Sequence, residues 1–180
     1  MWPKASDELQ AIKHAMTSIE SISCVRFVGR KYEVGYVRII AESSGCWADT
    51  GRSPGVSELN LGPGCFESEG TVLHELMHTL GFLHQHTRPD RDQYVQILYE
   101  NIIQSPEILF NFEIIEPWTN FAFPLPYDYD SIMHYKPAMY SKDPQRLVTI
   151  ATKNPTVTSI GQRDRLSVLD IVSINFLYCV

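Results

Sequence analysis

The stretch "HELMHTLGFLH", residues 74–84, constrains this chain more than any other part of it. His74 and His78 stand four residues apart, so on a helix their imidazoles project from one face, a single turn apart, and can reach one cation. Zinc takes a tetrahedral shell with Zn–N distances of roughly 2.0–2.1 Å, and a catalytic zinc keeps three protein ligands and one open position for water. A third donor is therefore needed. His84 would diverge from the pair around a straight helix, but Gly81 stands between them and can take the left-handed conformation that ends a helix and turns the chain back. Glu75 is not needed as a ligand, which leaves its carboxylate to act on the metal-bound water. The spacing thus predicts one zinc ion held by His74, His78 and His84, with Glu75 as general base. His14, His86 and His134 have no ligand-spaced partner, and structural roles are expected for them.

The rest of the chain sets the frame for that helix. At 180 residues and 44% hydrophobic it has the size of one compact domain with a real core. Acidic and basic residues are interspersed and the net charge is -6, which argues against a nucleic-acid or anionic-membrane partner. No run of eighteen apolar residues occurs, and the opening "MWPKASDELQ" lacks the basic-then-apolar pattern of a signal peptide, which a mature chain would have lost.

Helical spacing of Leu9, Ile12, Met16 and Ile19 behind Ser6 as a cap predicts an amphipathic helix over residues 6–23. "CVRFVGR", "YVRIIAE" and "VSELNLG" are rich in β-branched and aromatic residues and read as strands of one sheet. A second helix is expected from about Ser68 to Gly81. Frequent prolines beyond residue 85 predict a loop-dominated second half with short helical pieces. A last helix should occupy 167–178, opened by a capping box in "SVLD", with Leu169, Val172 and Phe176 on one face. The four cysteines, 24, 46, 65 and 179, lack metal-binding spacing; they suit two disulfides in an oxidising compartment, and four buried thiols are the alternative.

"HELMHTLGFLHQHTRPDRD" together with "YDYDSIMHY", "CVRFV", "SGCW" and "IGQR" resembles the astacin family of the metzincin clan, from about Ser6 to Cys179. The resemblance implies an α+β, two-lobed zinc peptidase forming a single domain over 1–180. Its N-terminal lobe, about 1–84, would carry a twisted mixed sheet and helices, and its loop-rich C-terminal lobe, about 85–180, would end in a helix, with a cleft between the two. Also implied is a secreted, extracellular, monomeric endopeptidase with one zinc ion per chain, acting on protein or peptide substrates without an acyl-enzyme. Met133 would sit in the turn beneath the metal. Tyr135 would approach zinc as a further ligand, swing away as substrate binds and hydrogen-bond the oxyanion. The family pattern pairs Cys46 with Cys65 and Cys24 with Cys179, the latter clasping both lobes.

Asp170 has two readings, cap of the last helix or support for a zinc-binding histidine. Arg163, in "IGQR", either favours an acidic residue after the cleaved bond or is a solvated surface arginine. Gln85 departs from the family, which has a glutamate after the third histidine to meet the freed amino terminus, and the strand before the first helix is missing or reduced to "MWPKA". Both departures touch one interaction, so activation is expected to be lost or rearranged. They also keep a second reading open, an astacin-fold binding or regulatory module with little turnover.

Overall fold

The structure, a computed structural model, describes residues 6–115 and 125–179; "MWPKA", the side chain of Ser6 and the prolines at 117 and 124 lie outside the described residues. Two compact units emerge. Residues up to Leu83 together with those from Arg163 onward form the first, and His84–Gln162 form the second.

The first unit opens with helix α1, Ser6–Ile22, which buries Ile12, Ala15 and Ile19 as the helical period requires. A three-stranded mixed sheet follows, made of β1 Tyr36–Ile40, β2 Cys46–Ala48 and β3 Val56–Leu61 in the order β1-β3-β2. The pairing of β1 with β3 is parallel, from Tyr36 opposite Val56 to Ile40 opposite Asn60, and that of β2 with β3 is antiparallel. Helix α2, Glu69–Thr79, packs against α1 and against β2 and β3, burying Val72, Leu73, Leu76 and Met77.

"CVRFVGR" is not a strand, a correction to the expectation from its composition. Its backbone donors are taken by side chains instead: Val25 N donates to Ser23 Oγ at 3.2 Å and Phe27 N to Glu20 Oε1 at 2.7 Å. Strand propensity supplies an extended backbone but cannot supply a ladder partner. Conversely β2, three residues beginning at Cys46, is too short to be read from composition.

The last helix, α4 Val168–Tyr178, begins with the expected capping box: Ser167 Oγ accepts from Asp170 N and Asp170 Oδ2 accepts from Ser167 N, both at 2.9 Å. Asp170 therefore does the capping work expected of it, as the partner of Ser167 in the box. The face is corrected, since Asp170 and Ile174 are the buried positions while Val172 and Phe176 are exposed. The segment from Arg163 on, expected in the second lobe, belongs to the first unit because it is tied there repeatedly. Disulfide Cys24–Cys179 joins it to the end of α1, where Asn175 Nδ2 also donates to Ile22 O at 2.8 Å. Tyr178 donates to Leu80 O at 2.6 Å at the end of α2. Both cysteines of that disulfide thus lie in one unit. The second bridge, Cys46–Cys65, spans β2 and the loop after β3.

The second unit has turns of 3₁₀ helix at Gln85–Thr87, Arg91–Gln93 and Tyr99–Asn101, and a short helix α3, Pro106–Phe110, as its prolines suggest. It also holds an unforeseen two-stranded antiparallel ribbon, β4 Val95–Ile97 against β5 Ile150–Thr152. Its core gathers Val95, Ile102, Phe112, Tyr127, Tyr135, Ile150 and Ile160.

Candidate active site

Helix α2 carries His74, Glu75 and His78 on a buried face, each less than a tenth exposed. The rings of His74 and His78 meet edge to face with centroids 4.7 Å apart. The helix ends as the glycine predicts. Gly81 has φ of 95°, Gly81 N donates to His78 O at 2.7 Å and Phe82 N to Met77 O at 3.1 Å, the paired bonds of a Schellman motif. That turn does more than reverse the chain. It brings Phe82 O to 2.8 Å from His78 Nδ1. A carbonyl can only accept, so the ring proton sits on Nδ1 and Nε2 is the nitrogen that carries the lone pair.

Ligand nitrogens of His74, His78 and His84 lie within 4.8 Å of one another and together form a group able to hold a metal ion. The donor set fits zinc on two counts. Burial pulls the His78 pKa down to about 4, an effect the Phe82 carbonyl opposes and Arg163 adds to, so the ring is neutral and ligand-competent near neutral pH. Glu75 Oε2 is buried with no hydrogen-bond partner among the described residues, a state that an ionised carboxylate tolerates only with a cation or water to face. Burial pushes the Glu75 pKa up to about 7, against the opposing charge of Arg163.

Arg163 is tied to α2 through its backbone. Ser68 Oγ, at the start of α2, donates to Arg163 O, and a Cβ on Gly70 would overlap that same carbonyl. Ser68 starts the helix as expected, but its hydroxyl is spent on this clasp and caps nothing. Gly70 is a residue the sequence reading did not single out; its signal, a glycine in the first turn of a helix, has meaning only once the approaching chain is seen.

Within the second unit, Tyr135 is 5% exposed and its ring touches that of His84, centroids 4.4 Å apart. Met133 is buried, and its carbonyl accepts from Gln85 N at 3.0 Å, tying the "SIMHY" turn to the residue after His84. His134 is structural, as expected: Nε2 lies 2.8 Å from Tyr127 OH and Nδ1 2.9 Å from Tyr135 O. His14 is exposed and pairs with Glu69 at 3.3 Å. His86 is fully buried, and burial holds its pKa down to about 3.

The comparisons with known proteins agree with this geometry. The family model described as Astacin, a peptidase family, matches residues 4–179. An astacin-like metalloprotease toxin 2 of Loxosceles intermedia is 42% identical over 170 residues, covering 93% of this chain and 65% of its own length. An astacin-like metalloendopeptidase of Gallus gallus is 39% identical over 172 residues, 96% of this chain and 41% of its own. This chain therefore spans only part of those relatives. Among solved structures, high choriolytic enzyme 1, a hatching enzyme zinc-protease from Oryzias latipes, superposes with a TM-score of 0.88 at 38% identity, covering 99% of this chain and 86% of that one. From the histidine spacing, the turn at Gly81 and a family match over nearly its whole length, the chain belongs to the astacin family.

Proposed function

We propose that this chain is a secreted zinc endopeptidase that hydrolyses peptide bonds in proteins, with His74, His78 and His84 as the metal ligands, Glu75 as general base and Tyr135 as oxyanion donor. The observation that carries the proposal is the buried Glu75 carboxyl, Oε2 unpartnered among the described residues, one residue along the helix from a histidine of the metal-competent trio. A zinc ion held there supplies a Lewis acid that polarises a carbonyl and acidifies water.

Glu75 is suited to move the proton. Burial raises the Glu75 pKa above the ordinary carboxylate value in the metal-free chain, and from its place beside the metal ligands the carboxylate can take a proton from the attacking water and release it to the departing amine. Its rigid place on α2, between two buried histidines, fixes the direction of transfer. Tyr135 offers a phenolic donor for the charge that develops on the carbonyl oxygen, and a preformed donor of this kind acts on the transition state more than on bound substrate. Secretion is supported by the two disulfides, which suit an oxidising compartment, and by relatives that are a toxin and a hatching enzyme.

The test is cleavage of a denatured protein by the purified chain, alone, with a chelator, and with zinc restored after chelation. Loss and recovery of cleavage, with about one zinc per chain in the active form, are expected. Cleavage that survives complete removal of metal would overturn the proposal.

A further inference from the structure

His86 is an unusual core residue. It is fully buried, and Nδ1 has no hydrogen-bond partner among the described residues, a desolvation cost that a hydrocarbon in its place would not carry. Packing alone does not account for it. The other ring nitrogen, Nε2, donates to Asn111 O at 2.9 Å, which stops the ring from rotating about its last torsion. The backbone is fixed as well, because the buried Arg91 guanidinium donates from Nη1 to His86 O at 3.0 Å and to Phe112 O at 2.7 Å. What this locked ring faces is Tyr135. Their centroids are 4.1 Å apart and their planes 31° apart, nearer and more nearly parallel than the rings of His84, Phe112 or Tyr140 against the same tyrosine.

We propose that His86 is a positioning residue for Tyr135: its hydrogen-bonded ring is the fixed shelf on which the tyrosine ring lies beside His84, and it sets where the phenol points during turnover. The proposal rests on the reading of Tyr135 as oxyanion donor. A flat aromatic face lets the phenol ring shift in its own plane at little cost while resisting tilt; the His84 ring lies at 57° to the tyrosine, and those of Tyr140 and Phe112 meet it edge to face at 62° and 79°. His134 completes the hold from the backbone side, through the Tyr135 carbonyl.

The experiment is a double-mutant cycle on the zinc-loaded protein, reading kcat, KM and zinc content for wild type, Tyr135→Phe, His86→Ala and the double variant, with His86→Phe and His86→Gln alongside. His86→Ala should lower kcat about tenfold with KM changed less than about twofold and zinc retained. In the Tyr135→Phe background the same change should lower kcat no further, since a shelf has nothing left to position. His86→Phe, which keeps the face and loses the bond to Asn111, should recover most of the rate; His86→Gln, which keeps a donor and loses the face, should not. If His86→Ala does not fold, the Phe and Gln variants carry the comparison. Losses that multiply in the double variant, full kcat in His86→Ala, or equal rates for Phe and Gln would overturn the proposal. A Tyr135→Phe variant with undiminished kcat would instead remove the role given to Tyr135, and the shelf with it.

Discussion

In the proposed mechanism Glu75 moves a proton and Tyr135 only stabilises charge, so their removal should have different effects. Replacing Glu75 by Gln keeps the size of a side chain that is 4% exposed and removes its basicity. Hydrolysis should fall by a factor on the order of 10²–10⁴ while zinc content stays at the wild-type level, measured by peptide cleavage and metal analysis on one preparation. Retained activity would exclude Glu75 as the base. Tyr135→Phe should lower kcat by about 10²-fold and leave KM nearly unchanged, because the lost hydrogen bond forms only as the oxyanion does. An increase in KM at constant kcat would place the phenol in substrate binding instead.

At the scale of the element, the end of α2 shapes the site as much as its side chains do. Gly81, at φ of 95°, lets the helix stop within one residue and offers the Phe82 carbonyl to His78. Any side chain there crowds the following carbonyl, at a cost of about 1–2 kcal/mol. Gly81→Ala should therefore weaken zinc binding beyond its effect on stability, since both the His78 tautomer and the return of His84 depend on that turn. Competition against a chelator of known affinity, set beside thermal unfolding of the metal-free protein, separates the two. Equal zinc affinity in the variant would show that the turn forms without glycine. The same helix is clasped at its other end by the Arg163 backbone through Ser68 and Gly70, so both ends of α2 are fixed by chain that is distant or reversed.

Across the whole molecule, the links that place α4 are long in sequence. Cys24–Cys179 closes 155 residues, which in the chain-entropy picture contributes about 4–5 kcal/mol. The Cys24→Ser, Cys179→Ser double variant should unfold at markedly lower denaturant concentration while the Cys46–Cys65 bridge, closing 19 residues, stays intact. Stability unchanged by the double variant would mean that the capping box and the bonds of Asn175 and Tyr178 suffice to dock α4.

The sequence by itself determined the local features. The spacing of His74, Glu75 and His78, the turn at Gly81 and the capping box at Ser167 depend on residues within a turn or two of one another, where backbone geometry leaves few choices. The family resemblance carried the disulfide pairing, which composition had left open. Only the tertiary structure decided what depends on partners far along the chain. "CVRFVGR" has strand composition but no strand to pair with, the β4–β5 ribbon joins segments distant in sequence, and α4 buries Asp170 and Ile174 rather than Val172 and Phe176. His86 belongs to the same class: in sequence it is a histidine without a ligand-spaced partner, and only the fold sets its ring against Tyr135. Short-range geometry is written in neighbouring residues, whereas ring stacking and strand pairing require two distant segments to meet.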